Sequence, residues 1–228
     1  MHADTNSRTD ILQSLLDERH SCRAFLPQPL PRETIERVIS LAQKSASWCN
    51  AQPWQVHVLS AEATERARHD LLAHVQTQPP QPDIAFPEAY RGVYAERRRE
   101  CAWRLYEAVG VTWGDRVASA KQTGENFRFF GAPHLAIVSS DASLGSYGAV
   151  DCGAFVGNFM LAAQSMGVAS IAQAALAAYS PFWHAWLGMG ADRQVVCGIS
   201  FGHEDSAHPS NAFRTSRAAL GEALTWVD

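Results

Sequence analysis

A single domain of the α/β or α+β class is what this 228-residue sequence predicts. Three observations carry that expectation. Short strand-like segments alternate with longer helical patterns. No linker, repeat or low-complexity tract divides the chain. One segment, GAVDCGAFVGNFMLAAQSMG at 148–167, is too apolar for an exposed helix and belongs at the centre or in a subunit interface.

The first element is a helix over 9–18, where Ile11, Leu12, Leu15 and Leu16 recur at helical spacing and Thr9 or Asp10 caps the start. RHSCRAF follows at 19–25, and PQPLP at 27–31 forbids continued helix. A second helix starts near Pro31 and ends near Ser45, with Glu33 in its first turn and Ile35, Val38, Ile39 and Ala42 on one face. ASWCNAQPW then leads into a strand over 55–60, where Val56 and Val58 alternate with Gln55, His57 and Leu59. Residues 61–77 read as helix. Pro79, Pro80, Pro82 and Pro87 exclude regular structure after it.

Residues 88–109 form a solvated helix whose ERRRE run is an exposed face without functional weight, and 113–126 adds another helix. HLAIVSSD at 134–141 is a buried strand. In the apolar helix at 148–167, Gly153 and Gly157 are spaced for close backbone approach. VASIAQAAL returns as a strand or extended segment, a Trp-rich helix spans 181–187, and QVVCGISFG at 194–202 is the last core strand. The tail leaves the core after Gly202 and ends apolar. One domain thus covers 1–228, with 79–110 as a substrate lid and 205–228 as a C-terminal extension.

A composition of 46% hydrophobic and 18% charged residues excludes disorder, and a net charge of −4 argues against nucleic acid or an anionic membrane as partner. Any anion site is therefore local. No apolar run reaches membrane-spanning length, and the polar MHADTNSRTD start lacks the apolar core of a signal peptide. Five scattered cysteines without a C-x-x-C pair read as free thiols in a reducing cytoplasm. His203 and His208 flank Glu204 and Asp205 in what reads as an exposed polar loop, not a metal site. Neither a G-x-G-x-x-G turn after a strand, nor a P-loop, nor a G-x-S-x-G elbow occurs. With no protein nucleophile or metal centre in view, catalysis by this chain falls to a cofactor.

Three stretches carry binding chemistry. RHSCRAF offers Arg19, His20, Ser21 and Arg23 as anion donors, although an Arg-rich surface turn has the same composition. In SASWCNAQPWQV, Asn50 and Gln52 can each donate and accept along an amide edge such as a flavin pyrimidine, whereas an ordinary polar turn would pack Trp54 into the core. NAFRTSRAAL places Arg214 and Arg217 beyond the last strand, able to swing back to a phosphate or to remain exposed.

Together, in this order, the stretches resemble the FMN-dependent nitroreductase family. RHSCRAF is similar to that family's R-x-S-x-[RK] flavin motif, ASWCNAQPW to its P-S-x-x-N-x-Q-P-W segment, and FRTSR to its C-terminal arginine segment. The likeness extends over NFRFFGAP at 126–133 and the apolar helix, and ASWCNAQPW resembles the nitrobenzoate and dinitroaniline reductase branch. The resemblance implies a three-layer α+β fold with a mostly antiparallel central sheet flanked by helices, in a homodimer with FMN sites at the subunit interface. It implies that Arg19, Ser21 and Arg217 hold the FMN phosphate, with His20 and Arg214 beside them, and that Arg23 stands near flavin N1 and O2. Ala46, Ser47, Trp48, Asn50 and Gln52 match the segment contributed by the partner subunit. Gln173, Ala174 and Ala175 match the place where a backbone N–H faces flavin N5, and Lys121, Gln122 and Asn126 are further flavin-edge candidates. Two departures stand out. Ala46-Ser47-Trp48 replaces Pro-Ser-Ser, so that Trp48 walls the pocket, and Gln173-Ala174-Ala175 replaces a Glu or Gly.

The activity implied is a ping-pong oxidoreductase that takes hydride from NADH or NADPH and reduces a planar nitroaromatic to nitroso and hydroxylamino products. The family also holds quinone and flavin reductases, dehalogenases and dehydrogenases. A non-catalytic FMN-binding protein is the reading from a different class.

Overall fold

Helix starts follow local capping chemistry in the computed structural model, which describes residues 7–227. The first six residues, which include most of the polar start read as lacking a signal peptide, and Asp228 lie outside the described residues. Ser7 Oγ accepts the Asp10 N–H at 3.1 Å while the Asp10 carboxylate accepts the Ser7 N–H at 2.9 Å, a reciprocal box that starts α1 (Arg8–Glu18). The cap is thus Ser7, and Asp10 is the other half of the box. Helix α2 (Arg32–Ala42) follows Pro31 and ends before Ser45, whose hydroxyl turns back to donate to the Ala42 carbonyl at 2.7 Å.

Strand β1 (Gln55–Leu59) stops short of Ser60 because Ser60 Oγ accepts the Ala63 N–H and caps α3 (Ala61–Thr77). Helix α4 (Gly92–Ala108) begins only after an extended Arg91. Asp115 caps α5 (Arg116–Gly124) by accepting the Ala118 N–H at 2.9 Å, later than apolar spacing alone placed it. A 3-10 stretch, Glu125–Gly131, carries Phe129 and Phe130 at φ of 55° and 53° into β2 (His134–Asp141). Arg68 brackets that strained turn, donating to the Arg128 carbonyl at 2.8 Å and to the Ala132 carbonyl at 2.6 Å.

The apolar helix α6 (Gly145–Ser165) is followed by β3 (Ala169–Gln173), α7 (Ala174–Ala177), α8 (Ser180–Leu187) and β4 (Arg193–Gly202). The four strands run in the order β1-β2-β4-β3, antiparallel throughout. Ala136, Val138, Ile199 and Phe201 point to the layer of α2 and α6, whereas Leu135, Ile137 and Val195 point to α3, α7 and α8. A bulge between Val138 and Ser139 shifts the register, so Val195 and Cys197 face opposite layers. The result is the expected three-layer α+β architecture. Each fully buried Phe on α6, Phe155 and Phe159, contributes about 1.5–3 kcal/mol of apolar burial.

One expectation about the end of the chain needs correcting. The tail does not leave the core after Gly202, since Ser210 and Asn211 are buried. The proline-rich stretch has no regular structure, as expected, and is fastened to the body of the domain. The Gln81 N–H donates to the Ala178 carbonyl at 2.7 Å, and Asp83 Oδ2 accepts the Val195 N–H at 2.8 Å and pairs with His184 Nε2 at 2.9 Å. Cys22, Cys49, Cys101, Cys152 and Cys197 are all free thiols. Among the described residues no helix is long and apolar enough to cross a membrane.

Candidate functional site

RHSCRAF runs beside the edge of the sheet at β3. The Cys22 N–H donates to the Ser170 carbonyl at 3.2 Å and the Phe25 N–H to the Phe130 carbonyl at 3.3 Å, so the loop is fixed on two sides. Its apolar members Cys22, Ala24 and Phe25 are buried, which turns Arg19, Ser21 and Arg23 the other way, toward a cleft. Burial pushes the Cys22 thiol up to about 12, consistent with a packing role.

The cleft, of about 230 Å³, is lined by Arg19, His20, Ser21, Arg23, Arg214 and Arg217, with Phe213 and Asp17 at its rim. None of these four arginines has a carboxylate partner among the described residues. Arg19 has its pKa lowered by burial and then by the Arg217 cation nearby. Arg23, lowered by burial, rests over the Phe213 ring at 5.3 Å and donates from Nη1 to the Ser21 carbonyl at 3.1 Å. Four guanidinium groups around one cleft repel one another, and an anion in that cleft would relieve the repulsion. Asp17 faces Gln13, whose amide donates to both of its oxygens at 2.9 Å.

His20, which lines the cleft, also has a bracing task that its place in the motif did not imply. Its Nδ1 meets the Glu18 carbonyl at 3.1 Å and its Nε2 meets Glu204 Oε1 at 3.0 Å, so the ring braces the loop against the segment after β4. The loop read as merely exposed and polar is therefore structural. Glu204 pairs with His20, the Asp205 N–H donates to the Ala24 carbonyl at 3.0 Å, and His208 Nδ1 meets Ser210 Oγ at 2.7 Å.

Arg23 also lines a second cleft of about 250 Å³, with Gln122, Asn126, Gln173 and Ala174, closed above by Ala102, Leu105 and Tyr106 of α4. It borders a third, of about 630 Å³, with Lys121, Gln122 and His208. Gln173 is buried and committed: its Nε2 donates to the Asn126 carbonyl at 2.9 Å and its Oε1 accepts from Ser200 Oγ. Its side chain is thus a strut, and Asn126 is tied with it, its Nδ2 donating to the Thr123 carbonyl at 3.0 Å and its Oδ1 accepting from Gln173 Nε2 at 3.3 Å, which leaves Gln122 and the start of α7 beside Arg23 at the cleft. That helical turn begins at Ala174 and leaves its first N–H groups without intrahelical partners, with Ala175 just behind.

ASWCNAQPW lies elsewhere in the chain: none of residues 46–52 lines the clefts that hold Arg19 and Arg23. Three non-glycine residues there, Cys49, Asn50 and Gln52, have φ near 50° (52°, 54° and 49°). The segment is held by α6, since the Trp48 N–H donates to the Asp151 carboxylate at 3.2 Å and Asn158 Nδ2 donates to Ser45 Oγ at 2.7 Å. Ser47 Oγ accepts the Gln52 N–H at 2.9 Å. Trp54 stacks on Phe155 as a core residue, while Trp48 is 61% exposed and leans on Tyr147 with ring centres 4.5 Å apart. Ala46 and Asn50 are exposed as well.

Residue type and spacing pointed to the arginines but not to the groups that fix them. Asn211 opens the NAFRTSR segment and Glu204 lies just beyond β4, yet their partners lie 188 and 184 residues away, a separation with no local signal. Helix α4 lies in the stretch expected to be a substrate lid, and its ERRRE run was given no functional weight. It holds the C-terminal segment through Arg97–Glu222 at 2.8 Å, Ser216 Oγ to Glu100 at 3.1 Å, and Arg104 to the Arg214 carbonyl at 3.3 Å.

Likeness to known proteins extends over nearly the whole chain. A family model described as "Nitroreductase family" matches residues 16–203. A nitroreductase, NfnB, of Mycolicibacterium smegmatis is 34% identical over 96% of this chain and 94% of its own length. A 4-nitrobenzoate reductase of Pseudomonas putida is 31% identical over 92% of each chain. The crystal structure of the FMN-dependent NfnB from Mycobacterium smegmatis in complex with NADPH superposes with a TM-score of 0.93 at 32% identity, covering 97% of this chain and all (100%) of that one.

Proposed function

The chain belongs to the nitroreductase family, and from that premise we propose that it is an FMN-dependent oxidoreductase that uses NADH or NADPH to reduce small planar nitroaromatics. The observation that carries the reading is the set of arginines without carboxylate partners around one cleft, next to a second cleft with amide edges. FMN fits that donor set, because a phosphate supplies the missing negative charge at one end and a flavin edge pairs with amides at the other. When bound, FMN would supply the redox chemistry, passing two electrons per turnover from the nicotinamide to the acceptor, so that one turnover would give the nitroso product and a second, with another reduced nicotinamide, the hydroxylamino product.

The protein's own part is binding, orientation and electrostatics. Arg19, Ser21 and Arg217 hold the phosphate, and Arg214 adds charge at the rim. Arg23, half-buried where the clefts meet, supplies a fixed cation that stabilises negative charge arriving on the ring. Gln122, Asn126 and the Ala174 backbone border the ring end. The working unit is a homodimer, supported by apolar faces that one chain leaves uncovered: Ile11, Leu12 and Leu16 on α1, and Tyr147 and Val150 on α6. Within that dimer Ala46, Ser47, Trp48, Asn50 and Gln52 reach the partner's flavin, and Trp48 walls the acceptor space. The free thiols support a reducing, cytoplasmic setting.

The test is direct. Purified protein should be yellow, and NADPH or NADH should bleach it without oxygen until a nitrobenzoate restores the colour. Replacing Arg19 or Arg217 with Ala should weaken FMN retention by about 1.5–3 kcal/mol each, the scale of a hydrogen bond to a charged group. Colourless protein that takes up no FMN would sink the flavin reading, and unchanged retention in both variants would sink the phosphate assignment.

A further inference from the structure

From the geometry around RHSCRAF we infer that Asn211 is a positioning residue, which with Ser210 locks the two halves of the phosphate cleft into register. The inference rests on the flavin reading. Asn211 is 3% exposed and all its amide hydrogen-bonding groups are engaged. Its Oδ1 accepts the Arg23 N–H at 2.7 Å, and its Nδ2 donates to the Ala24 carbonyl and to the Asp205 carbonyl, each at 2.9 Å. Ser210 Oγ donates to the Arg23 carbonyl at 3.0 Å. Two consecutive side chains thus take both main-chain polar groups of Arg23, the residue shared by all three clefts.

The residues just beyond Asn211 give the contact its consequence. Phe213, which lies under the Arg23 guanidinium, and Arg214 and Arg217 come within six residues along an exposed segment with little regular structure. Arg214 Nη1 folds back to the Asn211 carbonyl at 2.7 Å, while among the described residues Arg217 bonds only to Thr215 and Ser216 of its own segment. The exposed ties to α4 are weak on their own. The buried clamp at 210–211 is therefore the joint that sets Arg217 opposite Arg19. An Asn is suited to it because one side chain must accept from an N–H and donate to two carbonyls, which neither Asp nor Ser can do.

The measurement is the affinity of protein stripped of flavin for FMN and, separately, for riboflavin, which lacks the phosphate. In Asn211→Ala the preference for FMN over riboflavin should fall by roughly tenfold to a hundredfold, the loss expected when a charged hydrogen bond goes. The double variant Asn211→Ala/Arg217→Ala should show no further fall beyond Arg217→Ala, because both act through one contact. A lower melting temperature with an unchanged FMN/riboflavin ratio would overturn the inference, as would additive losses. If Asn211→Ala does not fold, Ser210→Ala removes only the hydroxyl to the Arg23 carbonyl; a smaller fall in the ratio supports the clamp and an unchanged ratio overturns it. Wild-type protein that binds no FMN overturns the flavin reading and the inference with it. Wild type that binds FMN beside a variant of unchanged ratio overturns the inference alone.

Discussion

At the scale of single residues, His134 has the tightest chemical specification outside the clefts. It lies buried at the start of β2, where Nε2 accepts the Leu30 N–H at 2.9 Å and Nδ1 donates to the Leu59 carbonyl at 3.3 Å. An N–H can only donate and a carbonyl only accept, so the fold requires the neutral ring with its proton on Nδ1. Burial holds the pKa of His134 below the ordinary 6.5, and burial with the Arg193 charge does the same for His57, whose Nδ1 has no partner. In the unfolded chain both rings take a proton near 6.5, so the unfolded state binds more protons as pH falls through that value. Their contribution is therefore fully present above 6.5 and is lost as pH drops below it. Denaturant melts of wild type should show a declining midpoint from neutral pH to about 5. His134→Gln should start lower and decline less steeply. Parallel curves for the two proteins would remove His134 as a source of the slope.

At the scale of elements, the order of helices and strands was legible, because each strand is a short apolar run bounded by turn residues and each helix keeps one apolar face. Ends were less so. Ser60 and Asp115 are ordinary cap residues that reset the end of β1 by one position and the start of α5 by three, whereas α3 spans the residues expected. The strain at Phe129 and Phe130 had no sequence cue, since aromatic residues rarely adopt positive φ and only the bracket from Arg68 explains it. Of the site, the charged half was legible as residue types, and the polar clamp was not. Side chains that bond main chain across the whole fold leave no spacing to read. Glycines at element ends carry similar hidden constraints. A Cβ on Gly202, the last residue of β4, would sit 2.7 Å from Cδ and 2.9 Å from Cγ of Pro133, and a proline ring cannot swing aside. Gly202→Ala should cost about 1–3 kcal/mol through the forced separation of the strand end from the turn. The denaturation midpoint measures this, and a shift of zero would mean that the turn yields freely.

At the scale of the whole molecule, the described chain does not bring together the two groups of residues assigned to the flavin in the proposed function. Arg19, Arg23 and Arg217 share one end, whereas residues 46–52 sit apart, bound to α6 through Asp151 and Asn158. The same helix turns a second face outward. Tyr147 and Val150 are 60% and 66% exposed, Ala154 lies one further turn along, and a Cβ at Gly153 or Gly157 would have no atom of the described residues within 4 Å beyond its chain neighbours and the adjacent backbone of α6. The close approach that these glycines suggested is thus not to the chain's own core, and in the proposed dimer a second copy of α6 would take this face. If α6 both forms the dimer and carries 46–52 to the partner's cofactor, dissociation and cofactor loss should be one event. Ala154→Arg places a charge on the outer face and touches none of the phosphate arginines. The mass in solution should fall from a dimer to the 25.0 kDa of one chain, and FMN should be released even though Arg19, Arg23 and Arg217 remain. Sedimentation with absorbance at the flavin band reads both at once. A yellow monomer would show that one chain holds the cofactor alone, and a yellow dimer that this face is not the interface.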